Sequence, residues 1–339
     1  MRAHWTSLLI ATFLVCFVVL LNGFNANKPR IVVLQSFDQD VRWVRHIDAG
    51  LREVLKSNRR PVAVAWHYMG MNRKLRTEQR EAAAKEALRF IAQQDPDIVI
   101  AVDDESNAYV ARHLAGQTRP KLVFVSISQM PAYYGYVGPR NVTGIAEQLP
   151  LVAVRDAMRT IRPGKSVRIA AVAVKNQTGQ AELSQVQAFD WAPHQLVAAT
   201  QVSSFAEWQT FVRNMADKAD VLLVLSNEGL THSSNDPSPV LGAKVTQWTE
   251  ANSKMLPLGI EDNYVAEGGS LMLSPSPFDY GQQAMRLALT WADTTGVQPG
   301  IVSSSHFNVG VRAAALAARG VSLPAIYVEA ARLSNSYFP

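Results

Sequence analysis

At 339 residues the chain exceeds one ordinary domain, and two domains of about 150 residues each are expected. Hydrophobic residues make up 48% of it and charged residues 18%, which excludes intrinsic disorder. The net charge is +5, but Lys and Arg are scattered and form no run interleaved with aromatics, so nucleic acid is not an expected partner.

The first segment sets the expected compartment. Arg2 and His4 precede an apolar stretch from Leu8 to Leu21, and Asn22, Gly23 and Asn25 follow. A basic start, an apolar core shorter than the ~20 residues of a spanning helix, and small polar residues after it describe a secretory signal. Residues 1–26 are therefore read as a signal peptide, cut after Gly23 or Ala26, with an uncleaved membrane anchor as the alternative. Cys16, the one cysteine, lies inside this segment, so neither disulfides nor thiolate metal sites are expected beyond it.

Beyond the leader, short β-branched runs alternate with helical patterns. In the first half, strands are expected at Arg30–Gln35, Pro61–Trp66, Asp97–Val102 and Lys121–Ser126. A helix over Val41–Lys56 shows Trp43, Val44, Ile47, Leu51, Val54 and Leu55 near a 3.6 period. Thr77–Gln94 is rich in strong helix formers, with Ala83, Ala87, Leu88 and Ile91 on one face. Asp103-Asp104-Glu105-Ser106 supply capping side chains for a helix over Asn107–Leu114. Arg73, Lys74 and Arg76 read as a solvated helix start, with an anion contact as the alternative. Asn141-Val142-Thr143 matches a glycosylation acceptor but reads as the turn into a first crossover.

The second half repeats the pattern. Helices are expected over Val152–Ile161, Gly179–Ala192, Phe205–Ala216, Val240–Ala251 and Asp279–Asp293, with strands at Val167–Val174, Gln195–Val202, Val221–Leu225 and Met255–Ile260. Ser203 and Ser204 with Glu207 form a capping box. Ser233–Pro239 reads as a polar loop, and Gly268–Phe278 as a passage between halves. Strands separated by helices imply right-handed crossovers and doubly wound α/β sheets. In such sheets ligands bind beyond the carboxyl ends of the strands.

Several segments carry a resemblance. Arg30–Leu55, a strand ending in Ser-Phe followed by Trp43 and a Gly-Leu helix, resembles the ABC transporter substrate-binding protein family of the type I periplasmic fold. His67-Tyr68-Met69, Asp97–Asp104 and Lys121–Ser126 resemble the branch that also serves as sensor modules of histidine kinases and diguanylate cyclases. Pro257–Glu261, the helix start Phe278-Asp279-Tyr280-Gly281-Gln282, Asn308 after a strand, and Gly320–Pro324 agree. The resemblance implies two Rossmann-like lobes joined by a three-segment hinge, with a ligand between them; characterised relatives bind amino acids, including aromatic ones. The lobes are expected at 28–144 plus about 268–297, and at 145–267 plus about 298–339. Gly70-Met71 stands where the sensor branch has an acidic residue, and Ser128-Gln129-Met130-Pro131 replaces an Asp-Pro step, so ligand identity does not carry over.

Candidate ligand contacts follow from the strand ends. Helix N-termini leave NH groups that attract carboxylates, and Ser36, Ser106, Ser128 and Thr178 add hydroxyls beside them. Asp38, Asp103, Asp104, Glu228, Glu261 and Asp262 are acceptors suited to an ammonium or to hydroxyls. Gln129, Asn176 and Asn227 complete the polar set. Phe37, Tyr68, Tyr109, Tyr133 and Tyr134 are candidates for an apolar wall. For each residue, simple capping or packing is the plainer reading, and Asp103-Asp104 is the strongest pair because adjacent acids repel and need a partner.

No nucleophile elbow, P-loop, dinucleotide fingerprint or zinc-protease motif occurs. The chain is thus read as a non-enzymatic, monomeric, extracytoplasmic solute-binding protein. It would take up a small polar, amino-acid-like ligand, without cofactor or metal, and deliver it to an ABC permease. A sensing module for a separate kinase or cyclase is the first alternative, and a hydrolase using Glu261-Asp262 the second.

Overall fold

The structure, a computed structural model, describes residues 2–26, 28–71, 76–293, 298–304 and 306–339. The chain begins with α1 (Arg2–Ala26), β1 (Arg30–Gln35), α2 (Arg42–Ser57), β2 (Ala63–Tyr68), α3 (Thr77–Gln94), β3 (Ile98–Val102), α4 (Asp103–Tyr109), β4 (Lys121–Ile127) and β5 (Val142–Ala146). It continues through α5 (Leu151–Ile161), β6 (Arg168–Val174), α6 (Gln177–Ala188), β7 (Gln195–Val202), α7 (Phe205–Met215) and β8 (Val221–Val224). A hairpin of β9 (Thr231–Ser233) and β10 (Asp236–Pro239) leads to α8 (Gly242–Asn252), β11 (Leu256–Gly259), β12 (Leu271–Pro275) and α9 (Pro277–Asp293). The last elements are β13 (Val302–Ser303), β14 (Phe307–Arg312), α10 (Ala313–Ala318), α11 (Ala325–Leu333) and β15 (Tyr337–Phe338).

Two large sheets result. The first has the order β13-β5-β4-β3-β1-β2 and is parallel throughout. The second has the order β15-β14-β12-β11-β8-β6-β7, in which β14 runs antiparallel to β12. This is the expected two-lobed α/β architecture. The central strands are apolar on both sides because helices cover both faces. Along β1, Val32 and Leu34 enter one buried cluster while Ile31 and Val33 enter the other. In β6, Ile169, Ala171 and Ala173 face one side, and Ala170, Val172 and Val174 the other.

The chain passes between the sheets three times: from β5 to α5, from β12 to α9, and from β13 to β14. These passages correct the expected lobe limits. Residues 271–275 were assigned to the first lobe, but β12 pairs with β11 and β14 in the second sheet. Val302–Ser303 was assigned to the second lobe, but it pairs with Ile145–Ala146 in the first sheet. Helix α9 then returns to pack on α2: a Cβ on Gly50 would meet the Phe278 carbonyl, and one on Gly281 the Ile47 carbonyl. The Gly-Leu helix and the Phe278–Gln282 motif thus meet at one glycine contact.

Other corrections are local. Asp103 opens α4 itself instead of capping a later helix, and α4 ends at Tyr109. Asn141 is buried at the start of β5, where its amide donates to the Leu114 and Pro120 carbonyls and its oxygen accepts from Gly116 NH. The expected polar loop at Ser233–Pro239 is the β9–β10 hairpin. Asn308 lies within β14, and Trp191 follows α6 as a buried loop residue. The Ser204 cap forms as expected, accepting from Glu207 NH while Ser203 NH donates to Glu207. In α1, the side chains from Ile10 to Leu20 are exposed. Among the described residues, no helix is long and apolar enough to cross a membrane. Arg73 and Lys74 lie outside the described residues.

Candidate functional site

The carboxyl ends of both sheets face a common cleft of about 940 Å³. Each strand that reaches it contributes the residues just beyond its end: Phe37 after β1, Asp103 and Asp104 after β3, Ser128 after β4, Glu147 after β5. From the second sheet come Asn176 and Thr178 after β6, Asn227 and Glu228 after β8, and Glu261 and Asp262 after β11. Both lobes therefore line one space, as strand-end chemistry requires.

Two left-handed residues shape the first-lobe wall. Asp103 has φ +65° and Ser126 φ +57°, conformations that side-chain-bearing residues seldom adopt. Ser126 sits at a register shift in β4, where the extra residue turns its hydroxyl to donate to Glu147 Oε2 at 2.8 Å. Asp103 accepts from Trp43 Nε1 at 2.8 Å, while its Oδ2 has no hydrogen-bond partner. Burial, with the neighbouring Asp104 adding to it, raises the Asp103 carboxyl to about 7. Asp104 accepts from Ser128 NH and from the Tyr134 hydroxyl.

The second-lobe wall is also acidic. Glu182 projects from α6 and accepts from Ser226 NH at 2.9 Å. Burial pushes it up to about 7 and Glu147 up to about 8. Glu261 is driven well above the usual carboxylate range by burial and by the neighbouring Glu182. Asp262 behaves differently. Burial pushes it up, but His46 and Arg42 of α2 outweigh this and hold it below the usual range. Aromatic area comes from Phe37, Trp43, Tyr109 and Tyr133.

Not all expected residues line this space. The Ser36 hydroxyl donates to the Val102 carbonyl and accepts from Ser106 NH. Ser106 Oγ also donates to Val102, so both fix the β1–β3–α4 junction. Tyr68 donates to Asp48 of α2 at 2.5 Å, and burial raises its hydroxyl to about 12. Asp38 stands outside the lining, its carbonyl accepting from Val41 NH. Gln129 reaches across the lobes to donate to the Gln177 carbonyl at 3.1 Å. Tyr134 is buried beneath Asp104.

Sequence reasoning missed Arg42, Trp43, Arg80, Glu147 and Glu182 as lining residues. Arg80 is ion-paired with Glu105 at 2.5 Å. Glu147 directly follows a strand not expected at 142–146, and Glu182 sits one turn inside a helix, where no strand-end signal reaches. Among the described residues, no group of three or more His, Cys, Asp or Glu side chains is placed to hold a metal ion.

No protein-family model matches the chain, and no curated protein sequence does. Solved structures do. A ligand-free, open substrate-binding protein of Clostridium difficile with adhesive properties superposes with TM-score 0.66 at 14% identity, covering 87% of this chain and 96% of the other. The ABC domain of Streptococcus pneumonia in complex with L-Trp gives TM-score 0.61 at 14% identity, covering 89% and 98%.

The chain has the type I periplasmic-binding-protein fold. A LacI-family transcription repressor of Corynebacterium glutamicum shares this fold, with TM-score 0.53 at 14% identity over 84% and 97%. At such identity the likeness establishes the periplasmic-binding-protein fold alone, and function rests on the cleft.

Proposed function

We propose that this chain is an extracytoplasmic solute-binding protein that captures a small polar organic ligand bearing an amino group and presents it to an ABC permease. One observation carries the reading: the strand ends of both lobes line a single cleft of about 940 Å³, within the size range of small-molecule sites. Carboxylates on both walls suit an ammonium group, and Phe37, Trp43 and Tyr109 suit an apolar body. The L-Trp complex among the structural neighbours supports a ligand of this size.

Ligand contacts from both lobes favour the closed form only by their differential affinity for it. The three interlobe passages serve as the hinge. Residues 1–26 act as the export signal in this reading, and the N-terminus of the exported protein, read by mass spectrometry, checks that part. Binding is checked by titration calorimetry against amino acids, amines and sugars, with small-angle scattering before and after. Saturable binding with a smaller radius of gyration is the expected result. A scattering curve indifferent to every ligand, with no heat of binding, overturns the reading.

A further inference from the structure

Eight carboxylic acids line the cleft against three arginines. Two of those arginines are already paired within the set, Arg42 with Asp262 and Arg80 with Glu105. The cleft therefore holds far more acid than its own cations compensate. One acid is also incomplete: Asp103, only 7% exposed, lines the cleft with Oδ2 bonded to nothing. Buried carboxyl oxygens are nearly always hydrogen-bonded, so this one marks a place where a partner is missing.

We propose that the cleft takes an organic cation with more protonated nitrogens than carboxylates, and that its binding expels a proton from the carboxyls of Glu147, Glu182, Glu261 and Asp103. The proposal rests on the solute-binding reading above and narrows it from ligands bearing an amino group to net-cationic amines.

The groups around these acids leave little else to neutralise them. Glu147 accepts from Ser126 and faces Glu261, Asp104, Asp103 and the Tyr280 hydroxyl. Glu182 faces Glu147, Glu261 and the Ser226 NH. Glu261 faces Glu182, Glu228 and Asp262. Asp103 faces Asp104, the Trp43 indole and the Ser126 hydroxyl, which donates to Glu147. The bases His46 and Arg42 lie against Asp262, Arg80 is paired with Glu105, and Arg112 lines the same cleft; the four acids themselves meet other acids and neutral donors.

Unliganded, such acids keep their protons near neutral pH because burial and mutual repulsion disfavour the charged form. An arriving ammonium reverses that balance. The amine enters already protonated and stays so; a carboxyl O–H bond breaks, the carboxylate pairs with the ammonium, and the released proton goes to the buffer. A zwitterion supplies one positive and one negative charge and would leave most of the acid excess uncompensated. A neutral sugar would accept and donate hydrogen bonds with the carboxyls still protonated.

Titration calorimetry of the full chain with spermidine, putrescine, L-arginine, L-tryptophan and D-ribose, at pH 6, 7 and 8, tests this. Each titration is run in phosphate and in Tris, whose differing ionisation heats report protons released. The expected result is binding of at least one net-cationic amine, with about one proton released. Its Kd then tightens by up to tenfold for each unit that pH rises while the carboxyls of the free protein are still protonated. Glu147→Gln is expected to reduce the proton release, and Glu182→Gln serves the same purpose if the first variant folds poorly. Preferential binding of tryptophan without proton release overturns the proposal and leaves the solute-binding reading standing; preferential binding of ribose overturns the proposal and the amino-group part of that reading, leaving solute binding itself. Binding of a cation with no proton release in either buffer overturns the proton linkage. No heat and no scattering change with any compound overturns both.

Discussion

Asp262 of the second lobe stands 3.1 Å from His46 Nδ1 and 3.4 Å from Arg42 Nε of the first lobe. One buried carboxylate thus joins two elements that share no sheet. Asn308 amide donates to the same carboxylate at 3.3 Å, anchoring it from β14. Together with the Gln129 amide on the Gln177 carbonyl, this pairing brings α2 and the β4 end of the first lobe against the second.

Asp262→Asn is expected to loosen this tie. His46 and Arg42 keep 38% and 35% of their side-chain surface exposed, so solvent screening limits the pairing to about 1 kcal/mol. Because its native pKa is depressed, the carboxylate contributes above the ordinary aspartate value near 4. That contribution is lost as pH falls through the lower native value. Urea midpoints of the two proteins should differ at pH 7 and converge as pH falls through the depressed native value. The variant should also show a larger radius of gyration without ligand.

The raised carboxyls work in the opposite sense. The folded chain holds protons on Glu147 and Glu182 that the unfolded chain gives up above about 4.5, the ordinary glutamate value. Stability therefore falls as pH rises from about 5 towards 8, then levels once the native groups ionise. The slope is on the order of 1 kcal/mol per pH unit for each group that titrates fully in the window. Thermal melts of the ligand-free protein between pH 5 and 8 should show the decline, and Glu147→Gln should flatten it. A melting temperature that rises with pH across this window would contradict the assignment of these protons.

The sheets were legible because their strands are buried on both faces and read as continuous β-branched runs. β5 was not, since Asn-Val-Thr-Gly carries turn residues; its Gly144 is needed because a Cβ there would strike Phe124. β12 was obscured by Ser274 and Pro275, although it is buried throughout. The strand-end rule located Asp103, Asp104, Glu261 and Asp262 in the cleft. It failed for Ser36 and Ser106, where a hydroxyl at a helix start serves the backbone. It could not find Glu182, whose place depends on the tilt of α6 over the second sheet.

The contact between α2 and α9 gives a test of the first lobe. A Cβ on Gly50 would lie 2.0 Å from the Phe278 carbonyl oxygen, and one on Gly281 2.1 Å from that of Ile47. These are backbone atoms that cannot rotate away. Gly50→Ala and Gly281→Ala are each expected to cost about 1–3 kcal/mol through overpacking, despite the better helix propensity of alanine. Chemical denaturation should show this with an unchanged m-value. Their double variant should be less destabilised than the sum, since one separation of the helices relieves both clashes.

Arg319 offers a test of stability separated from binding. Its guanidinium donates to the Ser253, Met255 and Glu250 carbonyls and stands 3.3 Å from Glu250 Oε2. The other oxygen of Glu250 accepts from Ser270 NH, Ser270 Oγ and the Tyr264 hydroxyl. One Arg–Glu pair, 19% and 11% exposed, thus gathers the C-terminal end of α8, the start of β11, the start of β12 and the end of α10. Removing the arginine leaves a carboxylate and three carbonyls short of donors, so Arg319→Met should cost about 3 kcal/mol. Arg319→Lys should recover less than half, because an ammonium cannot reproduce the planar fork. Neither residue lines the cleft. Ligand affinity measured well below the melting temperature should therefore be unchanged in both variants, while the denaturation midpoint moves.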